Sequence, residues 1–301
     1  VIRDIEGRHN HSVKLARKLQ KKKHRRERGL LVCEGLDLLC LAVEAQVQIG
    51  DVLVRRDILS DLPAELLQRA ELGGVDIGIC SEETLAQASS LGGSADVVFV
   101  CRQPRWSLAD LDLGHGISVY LEEVGDPGNV GTLARGCVGF GANGLIASPR
   151  TADPYGPKAM RAGMGAQFLV PVVVEVSPDD LLAHLGSFPT ASPGAEGAAP
   201  CGDGAARRPR PDVLVADPYD GEDVRKLTGD AQELPLVVVL GSERHGPGDH
   251  WSDARRVTIP QARFDSLNVA MAGTILLYEL SRRPGGPCDA RGTSKGGPVH
   301  P

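Results

Sequence analysis

The chain has 301 residues, a formal charge of -6, and 42% hydrophobic, 24% charged and only 4% aromatic residues. That length suits two modest domains with aliphatic cores, and the composition excludes a chain that stays disordered for want of apolar surface. No apolar run reaches the roughly 18 residues a membrane helix needs, no signal-peptide apolar region opens the chain, and the net charge alone argues against nucleic acid.

The first feature in chain order opposes that last inference. From Lys14 to Arg28, "KLARKLQKKKHRRER" holds nine Lys or Arg against one Glu27, while Val13, Leu15, Ala16 and Leu19 recur near helical spacing. The stretch predicts one helix with an apolar side and a cationic face. Strand "GLLVCEG", helix "LDLLCLAVEAQ", strand "IGDVLVRRD", helix "PAELLQRAEL", strand "VDIGICS", helix "SEETLAQASS" and strand "DVVFVCRQP" follow. This alternation implies a small α/β sandwich over residues 1–104. The Pro- and Gly-broken stretch "RQPRWSLADLDLGHG" predicts an interdomain linker over 105–115.

A second α/β domain is expected over 116–283. It begins with strand "ISVYLEEV", a helix near Val130 to Phe140, strand "GLIAS", a helix near Pro157 to Ala166, and strand "LVPVVVEV". A low-complexity, turn-rich segment predicts a flexible insertion over 186–212. Strand "VLVAD", a short helix near Asp223 to Leu227, and strands "LPLVVVLGSE" and "RRVTIP" lead to a long helix from Asp265 to about Arg282. Leu267, Ala270, Met271, Thr274, Leu277 and Tyr278 form its stripe, with Asp265 or Ser266 as N-cap. The Gly/Pro-rich tail 284–301 reads as disordered. The absence of an initiator Met points to a trimmed or partial N-terminus. Cysteines at 33, 40, 80, 101, 137, 201 and 288 include no CxxC pair, so free thiols are expected, with no metal.

Gly139, Gly141 and Gly144 in "GFGANG" spell a dinucleotide-type GxGxxG. The fingerprint requires a strand, a glycine turn and then a helix, whereas these glycines end a helix and lead into a strand. The preceding "DPGNVGTLARG" does sit at a strand-to-helix junction, where Asn129 is a candidate cap and Arg135 either a surface ion-pair partner or a functional group. "VVVLGSERHGPG" and "VTIPQARFDSLNVAMAGTILLYEL" each place a loop after an apolar strand, where parallel sheets bind ligands.

In this order the three stretches resemble the signature motifs of the SpoU/TrmH family of RNA ribose 2'-O-methyltransferases, in the SPOUT superfamily. Asn129, Gly131 and Arg135 match the first motif. Gly241, Glu243 and Gly246 match the second, and Ile259, Pro260, Ser266, Leu267 and Asn268 the third. Loop "QARFD" is about one residue shorter than in familiar members and lacks their glycine, and Arg244 and His245 fill variable positions. Both departures fall where the methionine end of the cofactor is expected. Around "NHSVKLARKL" and "RRERGLLVCEG" the N-terminal region is similar to the RNA substrate-binding domain often fused to this family.

The resemblance implies a mostly parallel C-terminal sheet with a trefoil knot, S-adenosylmethionine as cofactor, and a homodimer formed through the C-terminal domain. It implies that Leu240, Gly241, Ser242, Gly246, Ile259, Pro260 and Leu267 hold the cofactor. Arg135 is the implied catalytic group, as base or as electrostatic stabiliser, with Asn129, Glu243, Ser266 and Asn268 orienting it, the nucleotide and the cofactor. For RNA contact it implies Lys158 and Arg161, whose alternative is a solvated helix face. The basic stretch adds Lys14, Lys18, Lys21, Lys22, Lys23, Arg25 and Arg26 as phosphate contacts. The expected function is cytoplasmic methylation of ribosomal RNA, as housekeeping or antibiotic resistance. The alternatives are tRNA 2'-O-methylation, a noncatalytic RNA-binding or ribosome-assembly factor, and a nicotinamide oxidoreductase.

Overall fold

A computed structural model describes residues 1–7, 9–90, 95–188, 210–227, 235–242, 245–263 and 266–282. Glu243, Asp265, the tail 284–301 and most of the expected insertion 186–212 lie outside the described residues. The chain forms two compact units: Val1–Pro104 with Asp153–Leu169, and Arg105–Ala152 with the described residues from Val170 onward.

The first unit runs β1 (Ile2–Ile5), α1 (His11–Leu19), α2 (Lys22–Arg28), β2 (Leu30–Glu34), α3 (Leu36–Glu44), β3 (Ile49–Arg55), α4 (Ala64–Glu71), β4 (Asp76–Cys80), α5 (Glu82–Ala86) and β5 (Val97–Arg102). Its mixed sheet has the order β1-β4-β3-β5-β2, with β5 antiparallel to both neighbours. Edge strand β1 has no counterpart in the sequence reading, because three of its four positions are exposed and give no buried alternation. Helix α1 buries Val13, Leu15, Ala16 and Leu19 against the sheet, and Asn10 caps it by accepting the Ser12 N–H.

The second unit contains β6 (Ile117–Leu121), α6 (Pro127–Gly139) and β7 (Gly144–Ala147). The chain then contributes Asp153–Leu169, with α7 (Pro157–Ala162), to the first unit. It continues through β8 (Val172–Val174), α8 (Pro178–Gly186), β9 (Asp212–Ala216), β10 (Glu222–Asp223), β11 (Leu236–Leu240), β12 (Arg255–Thr258) and α9 (Val269–Ser281). All seven strands are parallel, in the order β10-β12-β9-β11-β6-β7-β8. Central strands β6 and β11 are buried at every position, so β11 reads as an unbroken apolar run and β6 as one interrupted by Ser118. The expected linker 105–115 is packed in this unit instead, because Leu111 and Leu113 join its core and Trp106 and Leu108 lie against it.

The end of α6 explains the false dinucleotide fingerprint. Gly141 has φ +67, its N–H donates to the Val138 carbonyl, and the Ala142 N–H donates to the Cys137 carbonyl at 2.8 Å. That is a Schellman closure leading into β7, and it places no phosphate cradle at Gly139, Gly141 or Gly144.

The basic stretch is two helices rather than one. Arg25 is only 4% exposed, and its guanidinium donates to the carbonyls of Leu19 and Gln20 and to Asp153 at 2.6 Å. Those carbonyls end α1, so the arginine caps the first helix and fixes the turn into the second. Arg25 is therefore removed from the expected phosphate contacts. Arg161 is engaged as well, donating to Ser90 Oγ at 2.9 Å and lying 3.6 Å from buried Glu34. With Gly165 seated against Leu41 and Leu38, these contacts join Asp153–Leu169 to the first unit. Arg25→Ala is expected to cost about 2 kcal/mol, read as a lower urea midpoint, because it removes the ion pair with half-buried Asp153 and leaves the carbonyls of Leu19 and Gln20 without the guanidinium's N–H donors.

Candidate active site

The first motif begins at the end of β6. Asp126, not Asn129, caps α6: its Oδ1 accepts the Asn129 N–H at 3.1 Å, and Pro127 fits the first turn, where no amide donor is needed. The Asn129 side chain is thereby available for another contact. Its Oδ1 accepts from Asn268 Nδ2 at 3.1 Å, across 139 residues of sequence.

Asn268 has two roles. Its Oδ1 caps α9 by accepting the N–H groups of Ala270 at 2.9 Å and Met271 at 3.3 Å, while its amide holds Asn129. The helix thus starts at Val269, and Ser266 stands exposed before it rather than capping it. Of the expected stripe on α9, Ala270 and Leu277 are buried, whereas Met271 and Tyr278 are exposed. Burial falls instead on Val269, Ala270, Gly273, Leu276, Leu277 and Leu280. The buried stripe lies one position away from the predicted one because α9 is apolar on nearly all sides.

In the second motif, Gly246 and Pro247 lie back against Gly241 and Ser242 at the end of β11. The Gly246 N–H donates to the Ser242 carbonyl at 2.9 Å, and Gly246 takes φ +66. A Cβ on Gly241 would lie 2.2 Å from Pro247 N and 2.3 Å from Gly246 C, so only glycine allows this closure.

A cavity of about 430 Å³ opens beside this loop, at the carboxyl ends of β9, β11 and β12. Of the expected cofactor contacts, Leu240, Gly241, Ser242, Gly246, Ile259 and Leu267 line it, as does Ser266. Pro260 is exposed and is not part of the wall. The lining also includes Asp217, Pro218, Tyr219 and Arg256, which the sequence reading did not single out. Their signal was the strand end "VLVAD" followed by a turn, in a sheet that binds at such ends. Asp217 Oδ1 accepts the N–H groups of Tyr219 and Asp220, and its other oxygen pairs with Arg256. Burial pushes Asp217 up, but these donors outweigh it and hold the carboxyl below its usual range. The loop therefore keeps this contact at neutral pH and loses it as pH falls through that lowered value.

Arg135 lies on α6, about 9 Å along the axis from Asn129 at 1.5 Å per residue, with its side chain exposed. In the first unit, Lys14, Lys18, Lys21, Lys23, Arg26 and Lys158 are exposed and Lys22 is half-buried. The described residues contain no group of three or more His, Cys, Asp or Glu able to hold a metal ion. Among them, no helix is long and apolar enough to cross a membrane.

The chain matches the SpoU rRNA Methylase family over residues 116–192 and the MRM3-like substrate binding domain over residues 10–98. It is 26% identical to the 23S rRNA (guanosine(2553)-2'-O)-methyltransferase RlmP of Bacillus subtilis, over 93% of this chain and 99% of that protein. It is also 26% identical to human mitochondrial rRNA methyltransferase 3, over 86% of this chain and 69% of the relative. The AdoMet-bound rRNA methyltransferase from Sinorhizobium meliloti has a similar structure, with a TM-score of 0.74 and 26% identity, covering 93% of this chain and 98% of that one.

Proposed function

Because the chain belongs to the SpoU/TrmH family of RNA methyltransferases, we propose that its second unit binds S-adenosylmethionine and methylates a ribose 2'-hydroxyl in ribosomal RNA. The observation that carries this reading is the meeting of three distant motifs in one unit. Asn129 bonds Asn268, and the second and third motifs share the wall of one cavity.

The cavity fits the cofactor. Its volume is that of a small-molecule site, and Leu240, Ile259, Leu267 and Leu276 give it apolar walls suited to adenine. The charged pair Asp217–Arg256 is already neutralised internally. When bound, S-adenosylmethionine supplies a sulfonium-activated methyl group. The protein must then align the hydroxyl and stabilise the oxygen as its proton passes to solvent water. A guanidinium stays protonated far above neutral pH, so Arg135 acts by stabilising developing negative charge or holding a phosphate, rather than as the base. Asn129, fixed by Asn268, orients the nucleotide beside it. Glu243 and Ser266 belong to the same catalytic set.

The reading includes a trefoil knot in which α9 is threaded beneath the second-motif loop. In support, Gly273 lets α9 approach so closely that a Cβ there would meet Leu133 of α6 at 2.4 Å and Leu240 of β11 at 2.6 Å. It includes a homodimer through the C-terminal unit, for which Val138, Met271 and Tyr278 supply exposed apolar side chains on the packed helices α6 and α9. It also places the enzyme in the cytoplasm, with RNA as partner. Ribosomal RNA is favoured over tRNA by the substrates named for the relatives.

The test is a map of 2'-O-methylated nucleotides in ribosomal and transfer RNA with and without the protein. One new rRNA site supports the reading, and no new site overturns it. Calorimetry with S-adenosylmethionine separates a noncatalytic RNA-binding factor, which shows no binding at millimolar cofactor. Lys21, Lys22, Lys23 and Arg26 changed together to Glu are expected to weaken RNA binding and flatten its salt dependence, by about 0.7–0.9 in log–log slope for each phosphate the helix no longer neutralises. An unchanged slope removes α2 from the interface.

A further inference from the structure

We infer that Glu122, at the end of β6, is the residue that positions the cofactor loop from outside the cavity. This rests on the reading of that cavity as the S-adenosylmethionine site. Glu122 is 6% exposed, and its backbone N–H extends the β6/β11 pairing by donating to the Leu240 carbonyl at 2.9 Å. Its Oε2 accepts two bonds, from the Gly248 N–H at 3.0 Å and from Trp251 Nε1 at 2.8 Å. Trp251 is fully buried and meets the Tyr120 ring edge-on at 5.5 Å.

The described residues of the second motif are therefore held on both sides. Gly241 is covalently continuous with β11, and Gly248 is pinned to the neighbouring strand by the carboxylate. Ser242, His245, Gly246 and Pro247, which line the cavity, lie between these anchors. Gly248 takes part in the fit, because a Cβ there would lie 2.8 Å from Glu122 Oε1. A buried carboxylate is costly unless its oxygens are satisfied, and here two neutral N–H groups are the donors. Four residues after Glu122 the same strand end delivers Asp126, the cap of the first-motif helix. One side chain thus ties the frame of the second motif to the strand that presents the first.

The test is calorimetric titration with S-adenosylhomocysteine, together with steady-state methylation at varied S-adenosylmethionine. Glu122→Ala is expected to weaken S-adenosylhomocysteine binding at least about tenfold and raise KM for the cofactor in parallel. The value of kcat at saturating cofactor stays within about threefold, since no group touching the hydroxyl is altered. Glu122→Gln, which keeps one acceptor oxygen, restores most of the affinity. If Glu122→Ala does not fold, Trp251→Phe and Gly248→Ala disturb the same contact from the other side and are expected to raise KM in the same way. Binding by the wild type with equal binding by the folded variants overturns this inference alone. A fall in kcat without a change in KM also overturns it. No binding by the wild type overturns the function proposed for the cavity, and this inference with it.

Discussion

Arg135→Ala is expected to lower the single-turnover rate of methyl transfer by about 10³-fold or more, while S-adenosylhomocysteine affinity stays within about twofold. The separation follows from geometry. Arg135 is an exposed residue of α6 and does not line the cavity, so its loss removes no cofactor contact. What it removes is the one cation of the first motif, the group proposed to counter the oxygen as it becomes negative. Lysine is not an adequate replacement, because an ammonium lacks the planar fork that can hold a phosphate and the reacting oxygen together. Full activity in Arg135→Ala would remove this residue from the chemistry. A matching loss of cofactor affinity would make it a binding residue instead.

Gly241→Ala is expected to weaken S-adenosylhomocysteine binding by about 100-fold or more. The added Cβ would meet Pro247 N at 2.2 Å, Gly246 C at 2.3 Å and Gly246 O at 2.6 Å. All three are backbone atoms, so no side-chain rotation relieves the clash. The loop must open, and Ser242, Gly246 and Pro247 then leave the cavity wall. Gly139→Ala is the control, since a Cβ there meets nothing within 4 Å. It also tests the decoy fingerprint, because a true dinucleotide loop would not tolerate it.

The parallel sheet and the cavity were legible because both rest on apolar continuity: "VVVL" and "ISVYL" announce strands covered on both faces, and their loops follow directly. Other features were hidden by the physics of pairing. A run of cations reads as a solvated face, yet Arg25 turns inward because the carbonyls ending α1 need donors. Asn129 reads as a cap from its position alone, but the chain supplies Asp126 three residues earlier and leaves the Asn129 side chain to Asn268. Glu122 and Asp217 gave no signal because a lone carboxylate after a strand looks like an ordinary surface residue. Only the folded loop brings donors to it.

The attachment of Asp153–Leu169 to the first unit bears on how this protein can be divided. The polypeptide passes from one unit to the other after Pro104, after Ala152 and again after Leu169. A cut after Pro104 follows the sequence boundary but not the structural one. The N-terminal fragment it releases lacks Asp153 and Arg161, leaving Arg25 without its carboxylate and the fully buried side chain of Glu34 without its cation. The C-terminal fragment carries α7 with the surface that α7 normally covers missing. In this chain, the smallest piece that keeps these contacts is the N-terminal region together with the β7–β8 connection.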